Sequence, residues 1–120
     1  MLLPMKGKGG GGNPYSKTIP AAQLSTSSWY SSDDIGRTAK YAIVYTLAET
    51  AGKFARIYYY DIENSHLYTS FTNGTTYTGL DASDDSDIGV VLRVNPNNPN
   101  VVDYKPTSSS YIANTRFIVC

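Results

Sequence analysis

Four aspartates fall within seven residues, at Asp81, Asp84, Asp85 and Asp87, and several carboxylates on one loop are what a hard cation such as calcium takes as ligands. The spacing lacks the sixth-position glycine and the closing glutamate of an EF-hand loop, so the run reads as a solvated acidic loop, with Asp33-Asp34 able to complete a cation site only if the fold brought them near. The stretch from Gly11 to Thr18 approaches a phosphate-cradling loop. However, Ser16 stands where the second glycine belongs, Pro20 interrupts the helix that should follow, and no strand precedes it. His66 is the single histidine and has neither a second histidine nor a serine or cysteine nucleophile motif beside it, which leaves it a half-exposed strand residue rather than a catalyst. Asp61 and Glu63 share a strand face by alternation, but sharing a face does not make them flank a substrate. No catalytic residue, metal site or cofactor is therefore expected, and the chain does not read as an enzyme.

Tyr58, Tyr59 and Tyr60 suggest a sugar-stacking platform. Consecutive strand residues point to opposite faces, so Tyr58 and Tyr60 form at most one platform while Tyr59 turns away with Ile57. Asn73-Gly74-Thr75 matches a glycosylation sequon, yet Asn-Gly between strands is already explained as a type I′ hairpin turn.

The elements that must position these residues are strands. Tyr41, Ile43, Tyr45 and Leu47 alternate with Lys40, Ala42, Val44 and Thr46, which predicts a strand over 38–48 with one more strongly apolar face. Further strands are expected over 54–62, 66–72, 75–78, 87–94, 101–104 and 111–119, with turns at Glu63-Asn64-Ser65 and in the Asn95 to Asn100 run, whose two prolines remove ladder donors. No segment of ten residues has helical periodicity. Ser32-Asp33-Asp34-Ile35-Gly36 and Ser86-Asp87-Ile88-Gly89 echo one another ahead of strands, which reads as repeated turn chemistry rather than duplication. Six to seven strands in the remaining length predict a small antiparallel β-sandwich or β-barrel.

Ahead of it, residues 1–36 carry Gly9 to Gly12, Pro14, Pro20 and the serines Ser25 to Ser28, and read as an extended arm or linker before a β domain at 37–120. Within that arm Trp29-Tyr30 can either dock on a neighbour or pack on the protein's own sheets. With 120 residues, ten basic and ten acidic side chains and 17% charged residues, the chain has no net field to draw nucleic acid or an anionic membrane. Eleven tyrosines against three phenylalanines suit half-buried sheet faces and subunit contacts. Lys6, Lys8 and Lys17 are too few to read as a nucleic-acid arm. The lone Cys120 forms no intrachain disulfide. The start has the wrong order of charged and apolar residues for a secretory signal, and no run is long enough to span a membrane, so the expectation is a chain made and kept in a cytosol or released by lysis.

A short β domain, a Gly/Pro arm, few charges and many tyrosines together resemble the layout of small auxiliary virion proteins, the capsid cement or decoration proteins of tailed phages and other large capsids. That resemblance is one of outline and implies a virion subunit, assembled in the host cytoplasm, that forms homo-oligomers and binds neighbouring shell or fibre proteins. An arm gains affinity by adding a strand to a neighbour's sheet, and many copies act together on a lattice. On this reading Lys17, Thr18, Ile19, Leu24, Trp29 and Tyr30 are the partner-contacting residues. The alternative is a carbohydrate-binding or adhesive β module, including a fibre or filament subunit, with the Asn95 to Asn100 loop and Tyr104 exposed toward a glycan.

Overall fold

The computed structural model describes residues 14–47, 56–69, 75–76 and 89–120. Among these the protein is all-β, with no α-helix and two antiparallel sheets. The strands in chain order are β1 Tyr15–Ile19, β2 Tyr30–Ser31, β3 Tyr41–Leu47, β4 Ile57–Asp61, β5 His66–Thr69, β6 Thr75–Thr76, β7 Val90–Val94, β8 Val102–Pro106 and β9 Asn114–Val119. The large sheet has the order β1-β9-β3-β4-β5-β6 and the small sheet β2-β8-β7. The only helical pieces among the described residues are 3₁₀ turns at Ala21–Gln23 and Ser109–Tyr111.

The alternation that predicted strands from 38 onward produces β3 to β9. The Asn73-Gly74 turn lies outside the described residues, as do Gly9 to Gly12 and the acidic run 81–87; β5 and β6, on either side of that turn, pair antiparallel. Two strands are additional to those read from the sequence. In β1 only the two ends, Tyr15 and Ile19, are buried, and the strand pairs with β9 from Tyr15 opposite Val119 to Ile19 opposite Thr115. β2 is two residues long and pairs with β8. Thus 14–36, arm-like in composition, runs along both sheets.

One core lies between the sheets. Tyr58, Tyr60, Val44, Phe117 and Val119 of the large sheet meet Val90, Leu92, Val102 and Tyr104 of the small one. Phe117 is the hub, with ring centroids 5.5 Å from Tyr15, 5.8 Å from Tyr104 and 6.4 Å from Tyr30, all inclined as aromatic quadrupoles prefer. This arrangement explains which face of β3 turns inward. Ala42 is paired with Tyr60 and Val119, and Val44 with Tyr58 and Phe117. Small side chains on the central strand leave volume for the large rings on either side of it. The more apolar set, Tyr41, Ile43, Tyr45 and Leu47, therefore faces outward, and the inner set is Ala42, Val44 and Thr46.

Gly36 and Gly89 both have positive φ, 80° and 95°; the remainder of the second echoed segment, 86–88, lies outside the described residues. At Gly89 a Cβ would run into the ring of Tyr111. Asp34 links distant loops: its carboxylate accepts from the Gly36 amide at 2.7 Å, Asn98 at 2.9 Å and Asn100 at 3.0 Å. These bonds to the charged form hold its carboxyl below the usual range.

Candidate docking surface

Each sheet has an outer face, and the two are built differently. On the small sheet, residues that alternate with the core set point outward: Val91 and Arg93 from β7, Asp103 and Lys105 from β8, Ser31 from β2. Asp103 is fully buried and fully occupied. Arg93 Nε donates to Oδ2 at 2.8 Å, Ser31 Oγ donates to Oδ1 at 2.7 Å, and Asn95 Nδ2 reaches both oxygens at 3.2 and 3.3 Å. The indole of Trp29 lies across this network, 4.0 Å from the Arg93 guanidinium carbon and 4.7 Å from Lys105 Nζ. A buried carboxylate is tolerable only with such partners, and the indole face both shields the cations and attracts them.

On the large sheet the outward set is aromatic and aliphatic, and nothing among the described residues roofs it. Tyr41 and Leu47 are each 36% exposed, Tyr68 42% and Ile57 55%. The register places Tyr59 between Ile43 and Tyr68, and Tyr45 beside Ile57. The tyrosine rings run across the strands, Tyr41 to Tyr59 at 5.8 Å and Tyr59 to Tyr68 at 5.9 Å, and along β5 His66 stacks on Tyr68 at 6.2 Å. Burial, then the neighbouring Tyr41, Asp61 and Tyr68, push the Tyr59 phenol up. The β1–β9 flank of the same face is polar, where Arg116 donates to Thr18 Oγ1 at 3.0 Å and Ser16 Oγ at 2.7 Å. At one end Asp61 accepts from the side chain and backbone amide of Asn64 at 2.9 and 3.3 Å. An apolar centre with a polar margin is the anatomy of a protein-docking patch.

The residues singled out from the sequence are distributed as follows. Lys17 and Thr18 are exposed on β1, with Lys17 Nζ 3.9 Å from Asp33. Ile19 and Leu24 lie in the chain's own core at 1% and 8% exposure. Tyr30 packs on Phe117 and its hydroxyl meets that of Tyr15 at 3.4 Å, while Trp29 covers Arg93 and Lys105 of its own chain. Tyr104, expected on the surface as a glycan contact, is buried, because it shares a strand face with Val102 and sits opposite Leu92. Burial pushes its phenol up to about 12. Tyr58 and Tyr60 are core residues, and the exposed aromatic row is formed by Tyr41, Tyr59 and Tyr68 instead. The period-two pattern shows which residues share a face, but the row depends on strand partners that the sequence does not specify.

Among the described residues no group of three His, Cys, Asp or Glu side chains could hold a metal ion, and no helix is long and apolar enough to cross a membrane. No protein-family model, curated protein or solved structure matches the chain.

Proposed function

We propose that the protein is a structural assembly subunit, a small β-sandwich that docks on neighbouring proteins through the outer face of its large sheet. The observation that carries this reading is the exposed Tyr41, Leu47, Ile57 and Tyr68 set, around the half-buried Tyr59, on a sheet whose inner face is already packed. The finer fold reading, sandwich rather than barrel, rests on two separate sheets facing each other across one core. The setting we propose is a virion shell, as a minor capsid, cement or decoration subunit, on the strength of the layout resemblance. From the arm-like segment, the part left for a neighbour is the outer edge of β1, with exposed Lys17 and Thr18 as its contact points.

The test is cosedimentation of the chain with candidate shell or fibre assemblies, comparing the wild type with Ile57→Ser and Tyr68→Ser. Binding that both substitutions weaken supports docking through this face; binding indifferent to both overturns it.

The second reading, a carbohydrate-binding module, has the tyrosine row in its favour. Against it, adjacent rings are inclined by 40° and 62°, whereas a flat sugar platform needs near-parallel rings. Inclined rings pack readily against other side chains. A glycan array that gives binding lost on Tyr59→Ala and Tyr68→Ala would reverse the preference.

A further inference from the structure

We infer that the aromatic half of the large sheet's outer face is closed by a second copy of this chain, stacked face to face about a twofold axis. This rests on the reading of that face as a docking surface and names its occupant.

The first support is area. With about 200 Å² for a large side chain, the exposed fractions of Tyr41, Leu47, Ile57 and Tyr68 leave about 350 Å² open. The half-buried Ile43, Tyr45, Tyr59 and His66 around them raise the apolar patch to about 550 Å². A standard interface takes about 800 Å² from each partner, so the patch with its margin of Asp61 and Asn64 supplies most of one side of a stable dimer. A patch this apolar is the composition of a homodimer contact rather than of a transient one. Two sheets stacked about 10 Å apart would bury it as the inner face is already buried.

The second support is charge. A twofold contact sets residue i against j and j against i. Asp61 and His66 are cross-strand neighbours, as are Tyr59 and Tyr68. An axis along the strands between β4 and β5 places Asp61 opposite the partner's His66 and Tyr59 opposite the partner's Tyr68. A carboxylate then meets an imidazole, and phenol meets phenol. Arg116, on the flank, is held there by Ser16 and Thr18. The chain as a whole carries formal net charge +0, so two copies do not repel at long range.

Sedimentation velocity of the full chain alone, over a wide range of concentration, tests this. The expected species has twice the 13.1 kDa chain mass. The double variant Ile57→Asp with Tyr68→Asp sediments as a monomer with an unchanged circular dichroism spectrum, and Arg116→Gln leaves the dimer intact. A second experiment does not depend on that variant folding. Asp61→Lys and His66→Asp each weaken self-association by about tenfold or more, and an equimolar mixture of the two regains it, because in the mixed pair the introduced lysine faces the introduced aspartate and the native contact of Asp61 with His66 is kept. A wild type that stays monomeric overturns the inference, as does a dimer that survives the double variant or a mixture no tighter than either variant alone. If the wild type is monomeric yet its shell binding is lost on the Ile57 and Tyr68 substitutions, the occupant is wrong and the docking reading stands. If the dimer forms as described but shell binding ignores those substitutions, the reading of an assembly subunit falls instead.

Discussion

On the small sheet the outward side chains terminate in one another, Asp103 held by Arg93, Ser31 and Asn95 with Trp29 laid across them. On the large sheet Tyr41, Ile57 and Tyr68 terminate in solvent. Both faces belong to one molecule and one core, so the difference does not arise from unequal folding. The small sheet has three strands and little surface of its own, and the chain supplies its roof from the loop before β2. The large sheet receives no roof from the described residues. A polar network that is complete offers a partner nothing to gain, whereas an apolar face left open gains on being covered.

The contrast can be broken most sharply at Asp103. Asp103→Ala leaves Arg93 against the sheet without its carboxylate, and removing one member of a buried pair costs about 3–5 kcal/mol. Urea denaturation should show a large fall in midpoint or an unfolded protein. Trp29→Ala removes the roof and both cation–π contacts, an expected loss of about 1–2 kcal/mol by the same measurement. Its near-ultraviolet circular dichroism should fall as well, since this is the only Trp in the chain. On the large sheet, Tyr68→Ser should shift intrinsic stability by no more than about 0.5 kcal/mol while weakening association. An equal loss on the two sheets would abolish the distinction between a finished face and an open one.

A smaller effect belongs to Asp34, which is exposed and bound to Gly36, Asn98 and Asn100. Its folded carboxyl lies below the unfolded value of 3.8, so the stability it adds is complete above that value and is lost as pH falls through the folded one. Asp34→Asn should remove this part of the acid dependence, read as a smaller difference in thermal midpoint between pH 6 and pH 3.

The strands from Tyr41 onward were legible because β-branched and aromatic residues alternate there over five to seven positions. β1 was not, because only its ends are apolar and its middle, Ser16-Lys17-Thr18, is polar on an edge. Glycines also precede it, and its partner lies at the far end of the sequence. β2 is too short to carry a pattern. Apolar strength pointed to the Tyr41 face of β3 as the distinctive one, but volume decides which face is inside. Ala42 and Val44 fit between Tyr58, Tyr60 and Phe117, and Tyr41 and Tyr45 would not. The acceptors and donors around Asp103 were equally hidden, since Ser31 lies 72 positions from its partner. In a β fold, sites assembled across strands depend on register, which alternation within one strand does not encode.

The position of β9 also bears on how the molecule comes into being. Last of the nine strands among the described residues, it lies second in its sheet, between β1 and β3, and its residue Phe117 anchors three other rings. Until it has been synthesised, β1 has no neighbour, β3 is an open edge, and Phe117 is missing from the space between the layers. The loop that must close to join Tyr15 to Val119 encompasses nearly all the residues between the two ends of the fold, a topology of late, non-local contacts that folds slowly. A nascent chain of this kind remains without its finished core while its tyrosine-rich middle is already made, and acquires native order in one late step rather than strand by strand.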